Sequence, residues 1–280
     1  MSKQQQLIYN LLVRLWPLSH VANWLGRQPI IGRLVVSILF GERVFEGTII
    51  PVRQTLWGGE SVALPYLCLE PLLTQASFRF LMKQCVCRSG EGCQSYPRDL
   101  GCIFLGDGAR DLGPEMGRPA SAEEALDHVR RAVDLGLVPL IVHSSFDALM
   151  LGIRRYERML ALCFCCDCCC TVRGSLRNGP RVFWERIGRL PGLQVSVNGA
   201  CVGCGTCVPL CHVQAIRLEE GRARIGDACK GCGRCAAACP REAIHLTLPE
   251  GSDVLRRLQM RIRARTDIGP AEDDAECGAN

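Results

Sequence analysis

The feature that most constrains this chain is a repeat. Residues 201–218 and 229–246 are two copies of one unit, offset by 28 positions. Cys201, Gly203, Cys204, Gly205, Cys207, Cys211, Ala215, Ile216 and Leu218 recur as Cys229, Gly231, Cys232, Gly233, Cys235, Cys239, Ala243, Ile244 and Leu246. Each copy reads C-x-x-C-x-x-C-x-x-x-C. Cysteines spaced this closely suit thiolate ligation of metal better than disulfide bridging.

The spacing points to iron and sulfur. Three close cysteines wrap a loop around three irons of one cube. The fourth is carried away by the following helical turn and reaches the other cube. The expected ligand sets are therefore crossed: Cys201, Cys204, Cys207 and Cys239 for one [4Fe–4S] cluster, and Cys229, Cys232, Cys235 and Cys211 for the other. The glycines let the backbone wrap closely at positive φ and aim its N–H groups at sulfur. Ile216 and Ile244 are expected to pack over the clusters and limit water. Paired zinc sites also use CxxC units, but zinc takes two such pairs per site rather than three cysteines plus one.

Residues 193–248 resemble a bacterial two-[4Fe–4S] ferredoxin. The resemblance implies a small pseudo-twofold α+β unit that passes single electrons. Family members carry proline after the fourth cysteine. Pro240 fits that pattern, but the first copy has His212 there, expected to be an exposed loop histidine.

Twelve of the 20 cysteines lie outside the repeat. Cys68 and Cys277 are isolated. Cys85, Cys87, Cys93 and Cys102 form one group, and Cys163, Cys165, Cys166, Cys168, Cys169 and Cys170 form another. Buried structural cysteines come singly, so groups this dense are not core packing. Adjacent cysteines cannot all be bridged to one another without strain. At least one additional metal or Fe–S site between the two groups is expected, with zinc, a redox-active dithiol and a metal-transfer site left open. The C-x-C-R, Y-P…G-C, E-E-A-L and C-x-C-C-x-C-C-C segments of residues 85–170 are also similar to a class of multi-domain ferredoxin-like iron–sulfur proteins. That similarity spans residues 47–246 and implies no particular reaction.

The 280-residue chain is 48% hydrophobic but only 6% aromatic, so its core must be aliphatic. Four regions are expected: an apolar helical segment over 1–46, a cysteine-rich α/β domain over 47–180, the ferredoxin unit over 193–248, and a basic helix with an acidic disordered tail over 249–280. The fold class is α+β, a mixed α/β body followed by the ferredoxin-like unit. Ser121, with Glu124 three residues on, opens the clearest helix, which Gly136 ends before a strand over 137–143. Extended segments are expected over 48–70 around Gly58–Gly59, and helices over 71–84 and 145–162. A polar linker is expected over 173–181, and a basic helix over 254–265 with Leu255, Leu258 and Ile262 inward. His143 reads as a satisfied core or strand-end histidine rather than a ligand.

Residues 7–40 are strongly apolar and split by Pro17 and Pro29, without the ~18–20 uninterrupted apolar residues of a spanning helix. They read as core helices, or else as a peripheral membrane foot with Trp16 and Trp24 at headgroup level. No convincing signal peptide opens the chain, and the cysteine usage predicts a cytoplasmic, reducing compartment. A net charge of +5 leaves no nucleic-acid footprint. Gly106, Gly108 and Gly113 miss the dinucleotide fingerprint and read as a plain loop. The C-x-x-x-C-x-x-C pattern of radical enzymes is absent. The expected function is single-electron relay to a redox partner protein. A reductase with a catalytic N-terminal cysteine site is the alternative, and a metal- or sulfur-handling scaffold is a third reading. No acid–base pair stands out to make it an enzyme.

Overall fold

The computed structural model describes residues 3–28, 32, 34, 45–52, 64–248, 253–264 and 266. The chain is α+β. A seven-stranded sheet forms the body, with strand order β4-β2-β3-β6-β5-β1-β7. The strands are β1 (Phe45–Ile49), β2 (Arg79–Met82), β3 (Ile103–Leu105), β4 (Gly117–Pro119), β5 (Val138–Ser144), β6 (Leu160–Cys165) and β7 (Ile187–Arg189). All pairs are antiparallel except β1 with β7.

The central strands read as unbroken apolar runs because both their faces are covered. Leu160, Leu162 and Phe164 of β6 point into one core layer; Ala161 and Cys163 point into the other. The first layer is roofed by α3 (Leu64–Gln75), α5 (Ala122–Asp134) and α11 (Val254–Arg263). The second is covered by α1 (Lys3–Leu15), α6 (Ser145–Leu151), α7 (Thr171–Asn178) and α8 (Arg181–Arg186), through Tyr9, Ala148, Leu151, Leu176 and Phe183. Helix α2 (Ser19–Gly26) continues the N-terminal segment.

Helix α5 starts as its sequence says it should. The Ser121 hydroxyl accepts from Glu124 N at 3.1 Å, and the Glu124 carboxylate accepts from Ser121 N at 2.9 Å. Ser121→Ala should cost about 1 kcal/mol, read as a shift in the denaturant midpoint. Helix α11 buries Val254, Leu258 and Ile262, while Leu255 is half-buried. Arg261 Nε donates to Glu46 Oε1 at 2.6 Å, tying α11 to β1.

Several expected elements differ. Residues 64–75 are helical and 79–82 form a strand, where extended chain and then a helix over 71–84 were expected. The helix from 145 stops at Leu151, because Gly152 takes φ +73° as a left-handed cap. The chain then enters the strand Leu160–Cys165, an apolar run whose periodicity does not separate helix from strand. The expected linker over 173–181 lies mostly in α7, and β7 carries the body's sheet on to residue 189. Gly106 to Asp111 is a turn entering a 3-10 helix, with the Asp107 carboxylate accepting from Arg110 and Ser77. His143 is buried, stacks on Tyr156 and bonds its carbonyl oxygen at 3.2 Å. The Gly58–Gly59 turn, the acidic tail and Cys277 lie outside the described residues.

Among the described residues no helix is long and apolar enough to cross a membrane. The N-terminal helices are nevertheless not simply core. Tyr9, Asn23 and Gly26 are buried, but Leu7, Leu11, Leu15, Leu18, Val21 and Trp24 are exposed.

Candidate metal centres

The repeat folds with close internal symmetry. Strand β8 (Gln194–Val197) pairs with β11 (Ile244–Thr247), and β9 (Ile216–Glu219) pairs with β10 (Arg222–Ile225). The offset of 28 maps β8 onto β10 and β9 onto β11. Short helices α9 (Cys207–Leu210) and α10 (Arg234–Ala237) follow the cysteine loops. The backbone repeats too: Gly203 and Gly231 both have φ +66°, and Gly205 and Gly233 both have φ +81°.

Both crossed sets are brought together. Cys201, Cys204, Cys207 and Cys239 line one small cavity, closed by Ile244. Cys211, Cys229, Cys232 and Cys235 lie within electrostatic reach of one another. Backbone N–H groups already point at the sulfurs. Ala223 N donates to Cys201 Sγ at 3.4 Å, Ala215 N to Cys211 Sγ at 3.2 Å, Gly231 N to Cys229 Sγ at 3.4 Å and Ala243 N to Cys239 Sγ at 3.3 Å. Such donors favour anionic sulfur and fit an iron–sulfur cube.

The two sets differ in surroundings. Cys204 is exposed, and its thiol is lowered by Thr206; Cys201 is lowered by the N–H groups of Ala223 and Gly203. The other set faces the body. Burial pushes Cys232 up to about 11 and Cys235 up to about 12. Several bonds fasten this side. Val52 N donates to Cys232 O at 3.0 Å, Arg189 Nη2 to Cys229 O at 2.8 Å and Lys230 Nζ to Trp184 O at 2.5 Å. Arg234 Nη2 meets Asp167 Oδ2 at 2.5 Å and Tyr96 Oη at 3.5 Å. The clamp thus joins α10 to the loop that carries Cys166 and Cys168.

This docking overturns the expectation for His212. It is buried at 5% exposure, in a niche shared with Cys165, Cys166, Arg173 and Arg234. Burial, then Arg173 and Arg234, drive its pKa down to about 3, so the imidazole is neutral. No local sequence signal marks it, since its burial comes from the body.

The ten N-terminal cysteines also converge, and they do so as two groups. Cys166, Cys168 and Cys169 follow β6, and Cys93 reaches them from the loop after α4 (Val86–Gly90). The Sγ atoms of Cys93, Cys166, Cys168 and Cys169 all lie within 4.8 Å of one another. Four thiolates around a tetrahedral ion at about 2.3 Å stand about 3.8 Å apart, so this set has the size of a single-ion site.

The remaining six run as a chain of neighbouring sulfurs. Cys102 Sγ is 3.4 Å from Cys163 Sγ, as the antiparallel β3–β6 register requires just beyond the Ile103–Leu162 pair. Cys85 adjoins Cys102 and Cys87, Cys87 adjoins Cys170, and Cys170 adjoins Cys165. Cys85 and Cys170 are buried and the other four are half-buried. Neither group lies in one stretch of sequence. Cys68, by contrast, stands alone in the core, its thiol pushed up to about 12 by burial.

Next to Cys87 lies Arg88, with no exposed surface. Its guanidinium donates to Pro97 O at 2.9 Å, to Phe164 O at 2.8 Å and to Leu100 O. All three partners are neutral carbonyls, and among the described residues no carboxylate pairs with it. Burial opposes its charge, but the thiols of Cys85, Cys166, Cys102 and Cys165 outweigh that and hold its pKa above the usual value.

A cavity of about 210 Å³ adjoins the six-thiol group. Cys87, Cys102 and Cys163 line it together with Phe45, Phe104 and Phe183. Asp147 also faces it, its carboxyl pushed up to about 7 by burial and then by Cys87. A wider groove of about 730 Å³ beside α5 holds no thiol and is lined by charges of both signs, among them Arg118, Glu124, Asp127 and Arg131.

Residues 200–243 match the 4Fe-4S dicluster domain family. The chain therefore carries a ferredoxin-type, iron–sulfur-binding segment within a larger protein. No curated protein matches the chain, and no solved structure does.

Proposed function

We propose that this protein relays single electrons through two [4Fe–4S] clusters into a metal–thiolate centre in its N-terminal body. One observation carries the reading: the two crossed cysteine sets sit in unlike surroundings, one outward and one docked. Cys201, Cys204, Cys207 and Cys239 hold the outward cluster, where a partner protein can approach the exposed Cys204 edge. Cys211, Cys229, Cys232 and Cys235 hold the inward cluster, beside the niche that contains Cys165 and Cys166. Bound clusters supply one-electron storage at each station. The chain's own residues set their spacing: the Arg234–Asp167 ion pair and the buried His212 hold the docked face against the body. The compartment is cytoplasmic and reducing.

The test mixes the oxidised full-length protein, without oxygen, with a reduced ferredoxin as a protein-sized donor, and follows bleaching by stopped flow. Cys204→Ala should slow reduction of the inner centres at least tenfold, while dithionite still reduces them fully. An unchanged rate would overturn the order of stations.

The cavity favours a second reading, a reductase. Cys87, Cys102 and Cys163 give a metal–thiolate centre one face on a mainly apolar cavity, which suits a small uncharged molecule. Carbon monoxide is the direct check: an infrared band from the reduced protein that disappears in Phe104→Trp supports a reachable centre, and its absence ends this reading.

The exposed face of the N-terminal helices adds a peripheral membrane contact. Leu7, Leu11, Leu15 and Leu18 recur at spacings of three and four, beside the exposed Arg14 and Arg27. The full-length protein should float with vesicles containing anionic lipid, and Leu11→Glu with Leu15→Glu should abolish it. Failure of the unaltered protein to float removes this contact.

A further inference from the structure

We infer that the ten N-terminal cysteines build two separate metal centres of different kinds: a mononuclear tetrathiolate at Cys93, Cys166, Cys168 and Cys169, and a polynuclear iron–sulfur cluster held among Cys85, Cys87, Cys102, Cys163, Cys165 and Cys170. This rests on reading the N-terminal cysteines as metal ligands, and it deepens that reading by giving each site its own ligands and nuclearity.

The first argument is size. Four sulfurs within 4.8 Å of one another surround one ion and leave no room for a cube, whose thiolates each hold a different iron and stand further apart. Within the ferredoxin unit, none of the crossed cysteines joins such a compact set. A tetrahedral ion satisfied by Cys93, Cys166, Cys168 and Cys169 has no use for six more thiols.

The second argument is number. Six neighbouring sulfurs exceed what one tetrahedral ion accepts. A polynuclear cluster distributes its thiolates over several irons and accommodates such a set.

The third argument is charge, and it separates a cluster from disulfides. Three bridges among six neighbouring thiols would be neutral. Arg88 would then be a buried cation bonded only to the carbonyls of Pro97, Phe164 and Leu100, with no opposing charge to offset its desolvation. Arg88 directly follows Cys87 and bonds the carbonyl of Phe164, which lies between Cys163 and Cys165 and two residues before Cys166, so metal-bound thiolates in both groups would supply the missing counter-charge. Arg88 thus serves as the shared counter-charge of two anionic centres.

The test loads the full-length protein without oxygen with iron, sulfide and zinc, and counts iron, acid-labile sulfide and zinc per chain. Two cubes in the ferredoxin unit account for about eight irons and eight sulfides. The expected totals exceed these by about four or more irons with matching sulfide, plus one ion without sulfide. Cys102→Ser with Cys163→Ser should remove the additional iron and sulfide and leave the single ion. Cys93→Ser with Cys168→Ser should remove the single ion and leave all the sulfide. About eight sulfides in the unaltered protein overturns the polynuclear site, and this count does not depend on any variant folding. Loss of the same metal from both variants overturns the division into two sites. A thiol titration of the denatured protein showing disulfides among residues 85–170 overturns both. The ferredoxin EPR signals remain in each of these outcomes, whereas failure of the relay reading appears only in the stopped-flow rates.

Discussion

Replacing Arg88 by methionine is expected to destabilise the protein by about 3 kcal/mol or more and to empty its N-terminal metal centres. Methionine matches the unbranched stem and fills the space without a charge. It leaves Leu100 O, Phe164 O and Pro97 O without the donors that Arg88 supplies. It also leaves the nearby thiols to carry negative charge in a low-dielectric interior without this cation. Arg88→Lys should do less harm to metal retention, because it keeps the charge, but it cannot reproduce a fork that reaches three carbonyls at once. Denaturant unfolding without oxygen gives the stability change, and metal analysis gives the occupancy. Retention of N-terminal metal by the methionine variant at the level of the unaltered protein would sink the counter-charge role.

The second large effect concerns glycines that the repeat makes equivalent and the surroundings do not. A Cβ on Gly203, at φ +66°, would overlap the carbonyl oxygen of Gly221. Gly221 closes the β9–β10 turn, so the clash is with backbone and the hairpin must move. Gly203→Ala should therefore abolish assembly of the outward cluster, seen as loss of about four irons and of roughly half the ferredoxin EPR intensity. At Gly231 the same φ meets Leu193 Cδ2 at 2.6 Å and Arg189 Cγ at 3.0 Å, side-chain atoms with some freedom to shift. Gly205, at φ +81°, meets only Leu218 Cδ1 at 3.6 Å. Gly205→Ala should cost about 1–2 kcal/mol for the left-handed backbone alone and keep its iron. The expected order of damage is Gly203, then Gly231, then Gly205. Equal damage at Gly203 and Gly205 would mean that φ alone decides.

Legibility in the sequence follows locality. The eight cysteines of the repeat, their offset of 28 and the glycines between them all lie within short stretches. Thiol chemistry and backbone conformation act over those distances, so the ferredoxin-type unit is legible without a fold. The Ser121–Glu124 capping box is legible for the same reason. Residues 145–162 are not. Apolar composition there fits a buried strand as well as a helix, and only Gly152 and the pairing of β6 with β3 and β5 settle it. His212 reads as exposed in the sequence because burial is a property of the interface, and the strands and loops that cover it come from distant parts of the chain.

The same division runs through the ten upstream cysteines. By itself the sequence determined that they form two dense groups unlike core packing, and that the repeat downstream is a ferredoxin-type unit. Only the tertiary structure decided which thiols meet. Cys93 leaves its sequence neighbours for Cys166, Cys168 and Cys169. Cys102 meets Cys163 because β3 and β6 run antiparallel, and Cys87 in the first turn of α4 meets Cys170, the residue before α7. Strand register, which is set by contacts far apart in sequence, sorts one composition into a four-thiol set and a six-thiol set beside a buried arginine.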